Sequence, residues 1–186
     1  IVLGRRRGFP QTAMLPHNMT MTVAGAAMLW VGWFGFNAGS AVAADGVAGM
    51  AMLVTHISAA AGALMWMTVE WIRHGRPGAL GAVTGMVAGL GTITPASGFV
   101  GPMGALIIGA SAGFTCYWAT QLVKQRWVID DSLDVFSVHG VGGALGMLLT
   151  SVFVMSSLGG AGLPEGVSLA SQFGVQALAV VATAAW

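Results

Sequence analysis

Charge is what this sequence has least of. Only 7% of its 186 residues are Asp, Glu, Lys or Arg, against roughly 25% in an average soluble domain. So few charges cannot cover a water-facing surface, which excludes a soluble globular fold and leaves the bilayer as solvent. Cysteine is nearly missing too. The single Cys116 sits inside an apolar run, which rules out a disulfide framework or a cysteine metal site within the chain. The 7 basic residues stand in short, separate clusters rather than along a stripe, and this removes nucleic acid as a partner. No H-E-x-x-H spacing occurs, and Ser137, two residues before His139, would leave a helix from a different face. Neither a metal-dependent nor a nucleophilic catalytic centre is written in the chain, and no cofactor is implied.

What is present is apolar, small and aromatic. Hydrophobic residues make up 56%, with 29 glycines, 12 methionines and 7 tryptophans, a composition suited to helices packed closely in lipid with aromatic rings near the interfaces. Six apolar stretches, near 19–38, 46–69, 79–95, 102–123, 135–156 and 169–186, approach the roughly 20 residues that a hydrocarbon core about 30 Å thick demands. Every charge falls between them or at their edges. Backbone polar groups left unpaired in lipid are costly, so each stretch is predicted to be a helix. The expected fold class is an all-α, polytopic transmembrane helix bundle. The opening Ile1-Val2-Leu3-Gly4 reads as the tail of a preceding apolar helix, and the chain stops in mid-run at Trp186. Both ends are those expected of a piece of a longer polypeptide.

The basic residues predict orientation. Arg5, Arg6 and Arg7 precede the first stretch, Arg73 and Arg76 follow the second, and Lys124 and Arg126 follow the fourth, while the connections 39–45, 96–101 and 157–168 carry none. Under the positive-inside rule, residues 1–18, 70–78 and 124–134 are expected to be cytoplasmic. Glycines at four-residue steps (Gly81, Gly85 and Gly89; Gly109 and Gly113; Gly142 and Gly146) predict close helix contacts.

Only two ionisable side chains fall within the apolar stretches, His56 and His139; His17 and His74 lie in connections. An ionisable group in the membrane marks a pathway unless a partner satisfies it. His56, between Thr55 and Ser58, is expected to hydrogen-bond a neighbouring helix. His139 is followed by glycines that let something approach its imidazole, which favours a pathway role. Asp130, Asp131 and Asp134 precede it and are expected to sit at the start of the fifth helix, capping free N–H groups and complementing the helix dipole. Trp33 and Phe36, in Gly32-Trp33-Phe34-Gly35-Phe36-Asn37-Ala38-Gly39-Ser40, can be read as an interfacial belt or as a cation-binding aromatic pair that also plugs a passage.

These residues carry a resemblance. The Gly32–Ser40 segment, then Thr94-Pro95-Ala96-Ser97-Gly98, Gly104-Ala105-Leu106-Ile107-Ile108-Gly109 and Asp134-Val135-Phe136-Ser137-Val138-His139-Gly140 resemble the ammonium transporter family in order and spacing, almost end to end. The resemblance implies a homotrimer in the plasma membrane, each subunit about eleven helices arranged as two inverted repeats around a narrow hydrophobic pore. This chain resembles helices six to eleven of that fold. It implies that His139 is the second of two pore histidines, that Phe36 is one member of the outer aromatic gate, and that Trp33 lines the pore below it. For Asp130, Asp131 and Asp134 it implies structural roles. Ammonium would be recruited outside, lose its proton and cross as ammonia while the histidines relay the proton; methylammonium would serve as an analogue and a PII-type protein as cytoplasmic regulator. An ammonium sensor on the same fold is the alternative reading.

Overall fold

A computed structural model describes residues 4–186. The reading of Ile1-Val2-Leu3 as a helix tail lies outside these residues. Within them there are six α-helices and no strand: α1 (Met19–Gly39), α2 (Gly46–His74), α3 (Ala79–Ile93), α4 (Pro102–Gln121), α5 (Gly142–Phe153) and α6 (Leu169–Ala185). Two π-helical segments adjoin them, Leu122–Arg126 continuing α4 and Phe136–Val141 leading into α5.

Local chemistry fixes several helix ends. Asn18, Asp45 and Ser168 each accept backbone N–H bonds at the first turn of α1, α2 and α6, satisfying donors that the helix itself leaves unpaired. Pro102 stands at the start of α4, where its missing N–H costs nothing. Gly75 closes α2 in the left-handed conformation at φ 75°, the geometry that glycine adopts without penalty.

Four helical segments are long and apolar enough to cross a membrane: α1, α2, α4 with its π extension, and Phe136–Phe153. The stretches expected near 79–95 and 169–186 form shorter helices, Ala79–Ile93 and Leu169–Ala185. The first of these stops because Thr94-Pro95 begins a run of turns that reaches Val100, Pro95 having no N–H to continue the helical hydrogen bonding. That run is still interior, with Ala96 and Val100 buried.

The core is built on α2. It packs against α1, α3 and α4, while α3 also meets α5, and α6 packs on α5. Along α2 the neighbours present glycines where any side chain would collide. Gly89 of α3 and Gly109 of α4 both abut the Ser58 carbonyl, and Gly85 and Gly113 both abut the Gly62 carbonyl. Ser58 donates its hydroxyl to the Gly89 carbonyl at 2.9 Å across this seam. Without a hydrophobic force between helices in lipid, such close backbone approach supplies the dispersion contacts that hold them. On the outward faces large apolar side chains are bare, Ile72 being 80% and Met28 75% exposed, as suits a molecule whose solvent is hydrocarbon.

Candidate functional site

His139 lies in the π-helical segment Phe136–Val141. Such a turn widens the helix by one residue and recurs at functional sites. Its effect is visible in the neighbours: Ser137 and Val138 are buried, whereas His139 and Gly140 are exposed on this bundle. The imidazole Nδ1 faces Gly91 of α3, close enough that a Cβ added there would sit 3.6 Å away. Gly91 is roughly 18 Å along α3 from Ala79, so His139 stands well along the bundle axis from the start of α3 although it belongs to the first turns of its own helix.

The indole of Trp33 on α1 stacks beside that imidazole, with centroids 6.4 Å apart and planes 7° from parallel. Its Nε1–H donates to the Thr94 hydroxyl at 2.8 Å, and Phe36 meets the same indole edge-on at 6.1 Å. Phe36 is 62% exposed. Phe36, Trp33 and His139 therefore form one aromatic row on a single open face, its middle ring pinned by a hydroxyl from α3.

Two cavities meet at His139. One, of about 620 Å³, runs between α5 and α6 and is lined by Phe136, Gly143, Met147, Val180 and Thr183 as well as the histidine. The other, of about 350 Å³, reaches from His139 and Val138 past Val87 and Thr84 to Lys124, Asp134 and Arg6 at the basic end. The imidazole thus stands between an apolar groove and a charged mouth.

The acidic segment divides its work. Asp131 accepts the N–H groups of Val135 at 3.0 Å and Phe136 at 2.8 Å, capping the helix that carries His139. Asp134 does sit at the helix start, its backbone carbonyl accepting the Val138 N–H at 2.8 Å, but contrary to expectation its carboxylate, like that of Asp130, makes no N–H cap there and takes another partner. Asp130 receives the Arg6 guanidinium at 2.6 Å and the Arg6 backbone N–H at 2.7 Å, so it ties the N-terminal segment to this loop. The Arg6 side-chain hydrogen bond holds the Asp130 carboxyl down to about 2. Asp134, with φ 56°, pairs with Lys124 at 2.7 Å. Burial pushes its carboxyl upward, and the Lys124 ammonium pulls it the other way.

His56 differs from its expectation. It is exposed and forms no hydrogen bond among the described residues; its ring lies 5.1 Å from Trp30 and 6.0 Å from Phe34 on α1. Thr55 instead makes the polar link, accepting from the buried Asn37 amide at 2.9 Å.

All 186 residues match the sequence profile of the Ammonium Transporter Family. The chain belongs to that family. An ammonium transporter of Bacillus subtilis is 48% identical over 162 residues, covering 87% of this chain and 40% of that protein. The ammonium transporter Amt1 of Archaeoglobus fulgidus is 45% identical over 161 residues, covering 86% and 40%. Among solved structures, Saccharomyces cerevisiae Mep2 superposes with a TM-score of 0.81 at 38% identity over 92% of this chain and 42% of that one. A sensor Amt protein reaches 0.88 at 31% identity, over 100% and 45%. The chain therefore spans about 40% of the length of the curated relatives it matches. As a family member it is a multi-pass membrane protein of a non-enzymatic transporter family, with the all-α bundle fold of its structural neighbours.

Three participants were not visible as site residues in the sequence. Thr94 holds Trp33 from 61 positions away, Gly91 makes the space beside the imidazole, and Lys124 neutralises Asp134. Gly91 lies in a segment whose composition signals only a helix, and Thr94 opens a segment that carries the family resemblance without marking the threonine as a partner of Trp33. In the sequence Lys124 signals only orientation.

Proposed function

We propose that this chain forms one wall of an ammonium/ammonia pathway, and that the rest of a longer polypeptide supplies the opposite wall. The observation that carries the reading is the open row of Phe36, Trp33 and His139, an apolar surface interrupted by one group able to exchange a proton near neutral pH. No carboxylate of the described residues lines the groove beside it. A fully charged ammonium ion would lose several kcal/mol in solvation on entering such a surface. Ammonium therefore gives up its proton before the dry section and crosses as ammonia, with His139 passing the proton to a second histidine in the opposite wall. Phe36 gates the mouth remote from the basic end, and Trp33 lines the path beneath it.

In this reading the functional unit is a homotrimer in the plasma membrane, with residues 1–18, 70–78 and 124–134 in the cytoplasm, where a PII-type regulator has access. The decisive test uses a full-length protein carrying this segment, reconstituted in liposomes and given an ammonium or methylammonium pulse. A saturable current that His139→Ala abolishes supports the relay. An unchanged current and selectivity in that variant overturn it.

Likeness over the whole chain to a sensor Amt protein favours a second reading, in which the fold signals ammonium. Saturable ammonium binding without flux in the folded wild-type protein would select it.

A further inference from the structure

We infer that ordered water is bound inside the bundle, held by the hydroxyls of Thr120 on α4 and Ser137 in the π-turn, and that it fixes the turn which aims His139. Among the described residues, the buried hydroxyls without a hydrogen-bond partner are those of Thr92, Thr120 and Ser137. They come one each from α3, α4 and the π-turn, three segments that pack on one another. A hydroxyl inside a helix has a ready partner in the carbonyl four residues before it. Thr55, Thr84, Thr94 and Thr150 all donate there, at 2.6, 2.9, 2.8 and 2.7 Å. Thr120 and Ser137 do not, although they are only 7% and 0% exposed, and a buried hydroxyl left without any partner is costly.

Neighbouring pairs fix where the two hydroxyls stand. α4 and its extension run toward the basic end, and the segment that carries His139 runs away from it, so contacts between them step in opposite senses along the two chains. Nearest the basic end, Lys124 meets Asp134 at 2.7 Å. Further in, Cys116 Sγ lies 3.2 Å from where a Cβ on Gly142 would stand, and Thr92 Oγ1 abuts the same glycine. Thr120 is midway between Lys124 and Cys116, and Ser137 falls between Asp134 and Gly142. The two hydroxyls therefore face one another across the seam. α3 takes the other side of the turn, where Gly91 lies against the Val138 carbonyl and His139 Nδ1.

The hydroxyls do not bond each other, so the group that bridges them is small and both donates and accepts. Water fits. It needs two to four polar partners: the hydroxyls supply two, and carbonyls of the widened turn lie beside Ser137. Ser137 is two residues before His139 in the same turn, so water that ties it to α4 holds the turn wide and keeps the imidazole beside Trp33. Ser137 and Thr120 are thus positioning residues. The water site stands apart from the pathway reading, while its effect on transport rests on that reading.

The test is a map of the full-length protein in nanodiscs, prepared without ammonium, at a resolution that shows interior water. Density within hydrogen-bonding distance of both hydroxyls is expected, and Thr120→Val should remove it. Maps that resolve other interior water but none here overturn the proposal. So does a direct bond between the hydroxyls, a bond from each to its own helix, or density that survives Thr120→Val. Density that appears only with ammonium overturns it in favour of bound substrate. Ser137→Ala leaves room for the water and removes one partner. It should move the imidazole nitrogen resonances of His139, assigned by difference from His139→Ala, and lower ammonium flux several-fold, whereas Thr120→Ser should keep both. Resonances that stay in place in Ser137→Ala overturn the positioning role. Resonances that move in a protein whose wild type shows no flux support it and count against the pathway reading instead.

Discussion

The indole of Trp33 and the imidazole of His139 lie 7° from parallel at 6.4 Å, on two helices that both pack against α3. What fixes the pair is a third side chain: the Thr94 hydroxyl accepts from the indole and itself donates to the Leu90 carbonyl at 2.8 Å. Thr94→Val keeps the shape and removes the acceptor, at a cost of up to about 1 kcal/mol for the partly buried donor left unpaired. The expected outcome is a lower melting temperature in detergent together with a several-fold loss of ammonium flux. Thr94→Ser, which retains the hydroxyl, should keep most of the flux.

Gly91 faces Nδ1 of His139 with room for one methyl group and little more. Gly91→Ala should transport nearly as the wild type does, because a Cβ there makes only ordinary van der Waals contact. Gly91→Leu fills the space beside the imidazole and should abolish flux while thermal unfolding still shows a folded protein. Equal flux in the two variants would mean that nothing passes on this side of the ring.

The seam on α2 sets a different kind of limit. At Gly109 a Cβ would collide with the Ser58 backbone, which has no freedom to move aside. Gly109→Val is expected to destabilise by at least about 1–3 kcal/mol, read as a fall in melting temperature or loss of folded protein. The same change at Gly143, which has open space around it, should spare stability.

Much of the architecture was legible in the sequence because lipid punishes exposed polar groups so heavily. Hydropathy alone marks the helices and the basic residues mark one end, so an all-α membrane bundle follows without tertiary information. The site was legible only as separate residues. Nothing in local spacing announces that Trp33 meets Thr94, or that Arg6 reaches Asp130 across 124 positions. The acidic run looked like three helix caps because all three carboxylates precede an apolar stretch. Only the fold, by placing Arg6 and Lys124 nearby, takes two of them for other partners.

That division has a pH signature. Arg6 lowers the Asp130 carboxyl from its ordinary 3.8 to about 2 in the folded protein. A depressed carboxyl contributes stability above its unfolded value, and the contribution disappears as pH falls through the folded one. The difference in melting temperature between the wild type and Arg6→Gln should therefore be constant above about pH 5. It should shrink as pH falls below 3.8 and largely vanish near 2. A difference that persists at the acid end would mean that Arg6 stabilises by some means other than this ion pair.

The wide turn before α5 also bears on how this segment tolerates length changes. Gly142 and Gly146 rest against Thr92 on α3. In an uninterrupted α-helix His139 would be three and seven residues before them and would share their face. The extra residue in Phe136–Val141 breaks that phase relation, turning the imidazole out while the glycines stay in. A deletion of one residue between Phe136 and Gly142 would relax the turn into an ordinary helix and swing the ring from its place beside Gly91 toward the Thr92 seam that the two glycines occupy. Every hydrophobic residue of α5 could remain in its place, and the helix would still have its histidine aimed at the wrong neighbour.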